Sequence, residues 1–280
     1  MFLSEDRARD SRRGRRTAAL FRQARLPGVG RCSNLDLICA EDGLEVFNSR
    51  YQEPGYTACL VCDPLGTGGG IVLALGQEGG RRRFSIAHEL GHYHIPTHRS
   101  RREEGAYCGE RDMRAGASDA ADIEWEANDF ASELLMPTGQ FGVDAAKRDL
   151  SIASAQELAS DVFYDVSVTA AAWRMVQVST YQCAMVVSSD GTIDWACRSE
   201  SFRIPGLRRG SIVNGDTLAS AGFQGGDSET RPLEVDINSW LEPRYPVRGK
   251  LLESTHVIRS LGQVVSLLWL IDADDEAYWA

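Results

Sequence analysis

The chain has 280 residues, 43% of them hydrophobic and 25% charged, which is an ordinary globular composition with enough length for one large domain or two modest ones. No apolar run reaches the roughly 18 residues of a membrane-spanning helix, and the arginine-rich start lacks the apolar core of a secretory signal. The net charge of −10 is unevenly spread: eight arginines against Glu5, Asp6 and Asp10 give the first 26 residues +5 and leave −15 for the rest. An acidic body repels nucleic acid. The basic head could touch DNA or a membrane surface, but a solvated first helix explains it more simply. Seven cysteines without a paired framework suit a reducing cytoplasm.

In chain order, residues 1–16 read as a flexible basic segment and 17–26 as a short helix stopped at Pro27-Gly28. Residues 33–47 read as a helix capped by Ser33 and closed near Gly43, then a strand from Leu44. Two strands are expected at 56–63 and 70–76, around a glycine-rich turn. Spacing turns helical over 82–95, and Pro96 ends that helix. Residues 99–121 are small, polar and charged, as in a loop. Residues 122–136 form a strong helix with Ile123, Ala127, Phe130 and Leu134 on one apolar face. Shorter helices follow at 138–150 and 154–163, then one over 167–179 capped by Ser167. From Tyr181 the texture is that of hairpins, with turns at Asp190-Gly191 and at Ser260-Leu261-Gly262-Gln263. A boundary is therefore placed near 180, with a β-rich region over 181–280 and an acidic, frayed tail.

Four of the five histidines lie in "RRRFSIAHELGHYHIPTHR" (81–99). His88 and His92 stand one helical turn apart on one face and can offer imidazole nitrogens to one ion, with Glu89 beside them within reach of a water. Zinc needs a third protein ligand and an open position for water. The helix "IEWEANDFASELLMP" supplies candidates: Glu124 and Asn128 share a face, while Glu126 points about 200° around from Glu124. Glu124 can meet the metal if the two helices pack together. Asn128 could then accept a hydrogen bond from the other ring nitrogen of a ligating histidine.

These two segments resemble the ImmA/IrrE family of zinc metallopeptidases, in an R-F-S-x-A-H-E-L-G-H helix and a downstream E-x-E-A-N-x-F-A-x-x-L-L-M-P helix. The resemblance covers about residues 20–180. It implies His88, His92 and Glu124 as ligands and Glu89 as the catalytic carboxylate. It implies an α+β architecture: a mainly helical, zincin-like minimal metallopeptidase domain with a small sheet over 17–180, followed by the β-rich C-terminal domain, which in some family members is GAF-like. The implied activity is zinc-dependent, site-specific cleavage of a protein substrate, a helix-turn-helix repressor of stress-response or mobile-element genes, with Mn2+ or Fe2+ as other occupants of a His-His-Glu site. Tyr93, His94, His98 and Tyr107 are candidates to stabilise the oxyanion, and sequence does not choose among them.

Other signals are set aside. Cys59 and Cys62, three apart on a strand, face opposite sides. The glycines of 66–70 lack the lysine and helix of a phosphate loop. Residues 154–178 have a helix-turn-helix shape, but 147–178 carry −1, so direct DNA binding is not expected. The competing reading is a DNA-binding or sensor regulator with a structural or vestigial metal site. A protease of a toxin system would share the chemistry and differ in target.

Overall fold

A computed structural model describes residues 5–26, 34–50, 56–62, 68–98, 107–109, 119–242 and 249–271. The chain divides into two compact units, Met1–Gln140 with Asp161–Val166, and Phe141–Ser160 with Ser167–Ala280.

The first unit begins with helix α1, Glu5–Arg25. It starts twelve residues before the expected helix, because part of its polar face meets buried carboxylates. Arg13 pairs with buried Glu126 at 3.1 Å and Arg15 with buried Asp129 at 3.4 Å. Helix α2, Leu35–Glu41, is capped by Asn34, whose side chain accepts from Leu37 N; Ser33, the expected cap, lies outside the described residues. Strands β1 (Leu44–Asn48), β2 (Tyr56–Cys62), β3 (Gly69–Leu73) and β4 (Tyr107–Gly109) form a sheet in the order β1-β3-β2-β4. β1 runs parallel to β3; the other pairings are antiparallel. β4 falls inside the stretch read as a loop, and the rest of 99–118 lies outside the described residues.

Helix α3, Gly79–His94, lies against β2 and β3, and starts three residues earlier than its hydrophobic spacing suggests. Arg82 holds that first turn through a two-pronged contact with Asp36 at 2.6 and 2.9 Å. Ile95 closes the helix, and Pro96–His98 make one 3-10 turn. Helix α4, Asp119–Leu135, packs on both α1 and α3. Ala127, Phe130 and Leu134 are fully buried, as the apolar stripe requires, but so are Glu124, Glu126, Asn128 and Asp129 to within a few per cent. Neighbours on both sides leave α4 almost no solvent face. Buried polar groups survive only when hydrogen-bonded or paired.

The second unit contains most of α5 (Thr138–Ala145), then α6 (Ile152–Ser160) and α7 (Val168–Val178), the last capped by Ser167 as expected. Strands β5 (Cys183–Ser189), β6 (Thr192–Arg198), β7 (Leu233–Val235), β8 (Lys250–Ile258) and β9 (Gln263–Ile271) form an antiparallel sheet in the order β6-β5-β9-β8-β7. The first hairpin turns at Asp190-Gly191, both at positive φ, and the second closes through Gly262 in the left-handed region. Both faces of the sheet are covered. α7 packs on one through Trp173 against Trp195, with ring centres 5.5 Å apart, and α6 joins it where Ile152 N donates to Ser254 Oγ. Val186, Val264 and Leu268 face the other way, into a core with Phe202, Trp240 and helix α8 (Leu218–Phe223). Fully buried Glu253 accepts from Leu218 N, Ala219 N, Trp240 Nε1 and Ser266 Oγ, and so ties α8 to the sheet. The expected boundary near 180 falls inside this unit, between α7 and β5. The change of texture there marks a change from helix to strand, while α6 and α7 bury their apolar faces on the strands that follow.

Candidate metal centre

α3 and α4 approach closely because Gly91 has no side chain. A Cβ there would stand 3.1 Å from Ala127 Cα and 3.2 Å from both the Ala127 carbonyl oxygen and Phe130 Cβ. The contact brings the histidine face of α3 onto the Glu124 face of α4. His88 Nε2 lies 3.0 Å from His92 Nε2 and 3.1 Å from Glu124 Oε2, and His92 Nε2 is 3.4 Å from the same oxygen. All three side chains are buried.

Three converging ligand atoms are what a cation requires, and together the three residues can hold a metal ion. A tetrahedral zinc with bonds of about 2.0–2.1 Å sets neighbouring ligand atoms about 3.3 Å apart, and the three distances here surround that figure. Two imidazole nitrogens face each other beside a carboxylate. Burial disfavours the imidazolium at His88 most strongly, yet hydrogen bonding and charge from Glu124, helped by Glu89 and Asn128, outweigh it and raise His88 above its usual value. At His92 burial wins, aided by the charges of His88 and His98, and the ring is lowered to about 4. Burial pushes Glu124 up, but the two histidines hold it well below the usual carboxylate range. A divalent ion takes an anionic carboxylate and two neutral rings, so its binding would displace the proton that Glu124 favours on His88.

Glu89 follows His88 on α3. Both of its carboxylate oxygens are buried, and its charge is felt at His88. Asn128 stands where the spacing places it: His88 Nδ1–H donates to Asn128 Oδ1 at 2.9 Å. Two candidates for oxyanion stabilisation go elsewhere. The Tyr93 hydroxyl donates to the Asp42 carbonyl at 3.2 Å, and His94 Nε2 meets Asp42 Oδ2 at 2.9 Å. His98 is fully buried behind the cluster, with Nδ1 3.0 Å from His92 Nδ1 and Nε2 3.1 Å from Glu126 Oε2. The side chain of Tyr107 lies outside the described residues. The pairing of His98 with Glu126 had no signal in the spacing. It depends on the Pro96 turn folding the chain back beneath α3, and on which neighbours α4 acquires.

The fold is α+β, a helical zincin-like part followed by a strand-rich region, and its buried His-His-Glu group is of the kind metallopeptidases use. Residues 52–175 match the family described as Peptidase M78, IrrE N-terminal-like domain, in line with the family the sequence resembles. The solved structure of a Mycobacterium tuberculosis transcriptional regulator is similar over 92% of this chain and 76% of that one, at 14% identity and a TM-score of 0.57. No curated protein matches the chain. Among the described residues, no helix is long and apolar enough to cross a membrane.

Proposed function

We propose that this protein is a zinc-dependent, site-specific endopeptidase of the ImmA/IrrE type, with His88, His92 and Glu124 as ligands and Glu89 as the catalytic carboxylate. The observation that carries this reading is the buried convergence of His88, His92 and Glu124 with Glu89 on the next residue of the same helix. A structural metal site has no use for Glu89, and usually fills its fourth position with protein. When bound, zinc supplies Lewis-acid polarisation of a carbonyl oxygen and makes water a nucleophile near neutral pH. His88 and His92 present Nε2 and stay neutral. Asn128 orients His88 through Nδ1. Glu89 takes the proton of the attacking water and returns it to the leaving amine nitrogen. Burial of these groups keeps bulk water from competing for that proton.

The substrate we infer is a helix-turn-helix transcriptional repressor, cleaved to release stress-response or mobile-element genes. The regulatory name of the structurally similar mycobacterial protein is compatible with action in a transcriptional circuit. We place the protein in the cytoplasm, with the region after 180 as a sensor or substrate-docking part. The test compares new protein N-termini in cells carrying wild type or Glu89→Gln. A single new terminus inside a repressor, lost by about 10²–10⁴-fold in the variant while zinc and fold are retained, supports the reading. Equal cleavage by the zinc-loaded variant overturns the role of Glu89. Identical N-termini with and without the wild-type gene favour a regulator whose metal site does not cut.

A further inference from the structure

The two histidines of the cluster are held from behind in different ways. His88 uses an amide oxygen, Asn128 Oδ1, whereas His92 uses a third histidine. Behind His92 runs a chain of contacts that leaves the metal cluster: His92 Nδ1 to His98 Nδ1 at 3.0 Å, His98 Nε2 to Glu126 Oε2 at 3.1 Å, and Glu126 Oε1 to Arg13 Nη1 at 3.1 Å. The three inner members are buried: His98 at 0%, Glu126 at 3% and His92 at 4% exposure. Arg13 comes from α1 and also donates to Thr97 Oγ1, in the 3-10 turn that carries His98.

Hydrogen-bond direction in this chain is set from the Glu126 end when His98 is neutral. A carboxylate accepts, so Glu126 requires a hydrogen on His98 Nε2. A neutral His98 then has a bare Nδ1, which accepts. His92 must supply the hydrogen from its own Nδ1, and this leaves its Nε2 bare, facing His88 Nε2 and Glu124 Oε2. Reversing the first bond would put a hydrogen on His92 Nε2 and point it into the ligand cluster. No arrangement with a neutral His98 and an accepting Glu126 does that.

We propose that His98, held by Glu126 and Arg13, is a positioning residue that locks His92 in the tautomer and orientation that present Nε2 to the metal, and so makes α1 part of the metal centre's support. The proposal rests on the metal reading above. It replaces the oxyanion role considered for His98, whose two ring nitrogens are both committed behind the site.

The test measures zinc affinity by competition with a chromophoric chelator, for the full-length protein and its variants. His98→Phe keeps ring volume and removes both nitrogens; it should bind zinc about 10–100-fold more weakly. His98→Gln, which restores an acceptor for His92 and a donor for Glu126, should recover part of the loss. Arg13→Ala should weaken binding less, since Glu126 remains. Equal affinity of wild type and His98→Phe overturns the proposal alone, whereas a wild type that takes up no zinc overturns the metal reading and this proposal with it. Should His98→Phe not fold, nitrogen-15 NMR of the zinc-loaded wild type decides. Hydrogens on His92 Nδ1 and His98 Nε2 are expected, and a hydrogen on His98 Nδ1 would sink the proposal.

Discussion

Asp42 shows how one residue can serve as a clamp without taking part in chemistry. It follows the last turn of α2 and accepts from Arg25 of α1, from His94 of α3 and, at its carbonyl, from Tyr93. Burial pushes its carboxyl up, but the hydrogen bonds from His94 and Arg25 outweigh burial and hold it below the ordinary aspartate value of 3.8. A carboxyl lowered in the folded state adds stability above its unfolded value, and that contribution fades as pH falls through the lowered folded value. Asp42→Asn should therefore cost about 1–2 kcal/mol in urea unfolding at pH 7. The difference from wild type should shrink at pH 3. A gap that stays constant between the two would show that ionisation of Asp42 does not support the fold. His94 and Tyr93, attractive from the sequence as groups near the metal, belong to this clamp, because one step along a helix turns a side chain by about 100°.

At the scale of elements, the centre depends on two close helix contacts made by glycine. Gly91 lets α4 approach α3. Gly14 lets α1 approach α4 still more closely, since a Cβ there would fall 2.1 Å from the Glu126 carbonyl oxygen. Backbone cannot yield as a side-chain tip can. Gly14→Ala should push α1 off α4, break the Arg13–Glu126 and Arg15–Asp129 pairs, and destabilise the protein by about 1–3 kcal/mol. Gly91→Ala meets contacts of 3.1–3.2 Å and forces a smaller shift. Its expected signature is weakened zinc binding with secondary structure intact, since His88 and Glu124 sit on the two helices being pried apart. Chelator competition and circular dichroism check it; unchanged affinity would mean that the helices slide without separating the ligands. The glycine at 91 could be read as a place of close approach because it lies within the histidine motif. The one at 14 could not, since a glycine among arginines looks like part of a flexible head.

At the scale of the whole molecule, two compact units each have their own core, and among the described residues the His88–His92–Glu124 group that could hold a metal lies in the first. A ligand that binds the native state alone stabilises what it binds by about 4 kcal/mol at a thousandfold its dissociation constant. Calorimetry should resolve two transitions, and zinc should raise the one belonging to the first unit while leaving the other in place. A single transition moving as a whole would mean that the units unfold together. The chain passes between the units more than once, because residues 141–160 join the second unit and 161–166 return to the first. Reading along the chain cannot find such a division, which depends on where each helix buries its apolar face.

The amino-acid order by itself determined which side chains can meet at the candidate centre. His88, Glu89 and His92 lie within one helical turn, and Glu124 and Asn128 lie one turn apart, so helical geometry alone sets their faces. It determined the two hairpins of the strand region too, through Asp190-Gly191 and Gly262, whose backbone angles few other residues accept. The tertiary structure decided what those faces meet. It made α1 long by giving its arginines buried partners on α4, brought Glu126 and His98 together behind His92, and drew α6 and α7 onto the second sheet. The physical reason is one of range. Torsions, caps and turn angles act over about four residues and are written locally, whereas a buried carboxylate's partner can stand a hundred residues away, as Arg13 does from Glu126, and is chosen only when the helices pack.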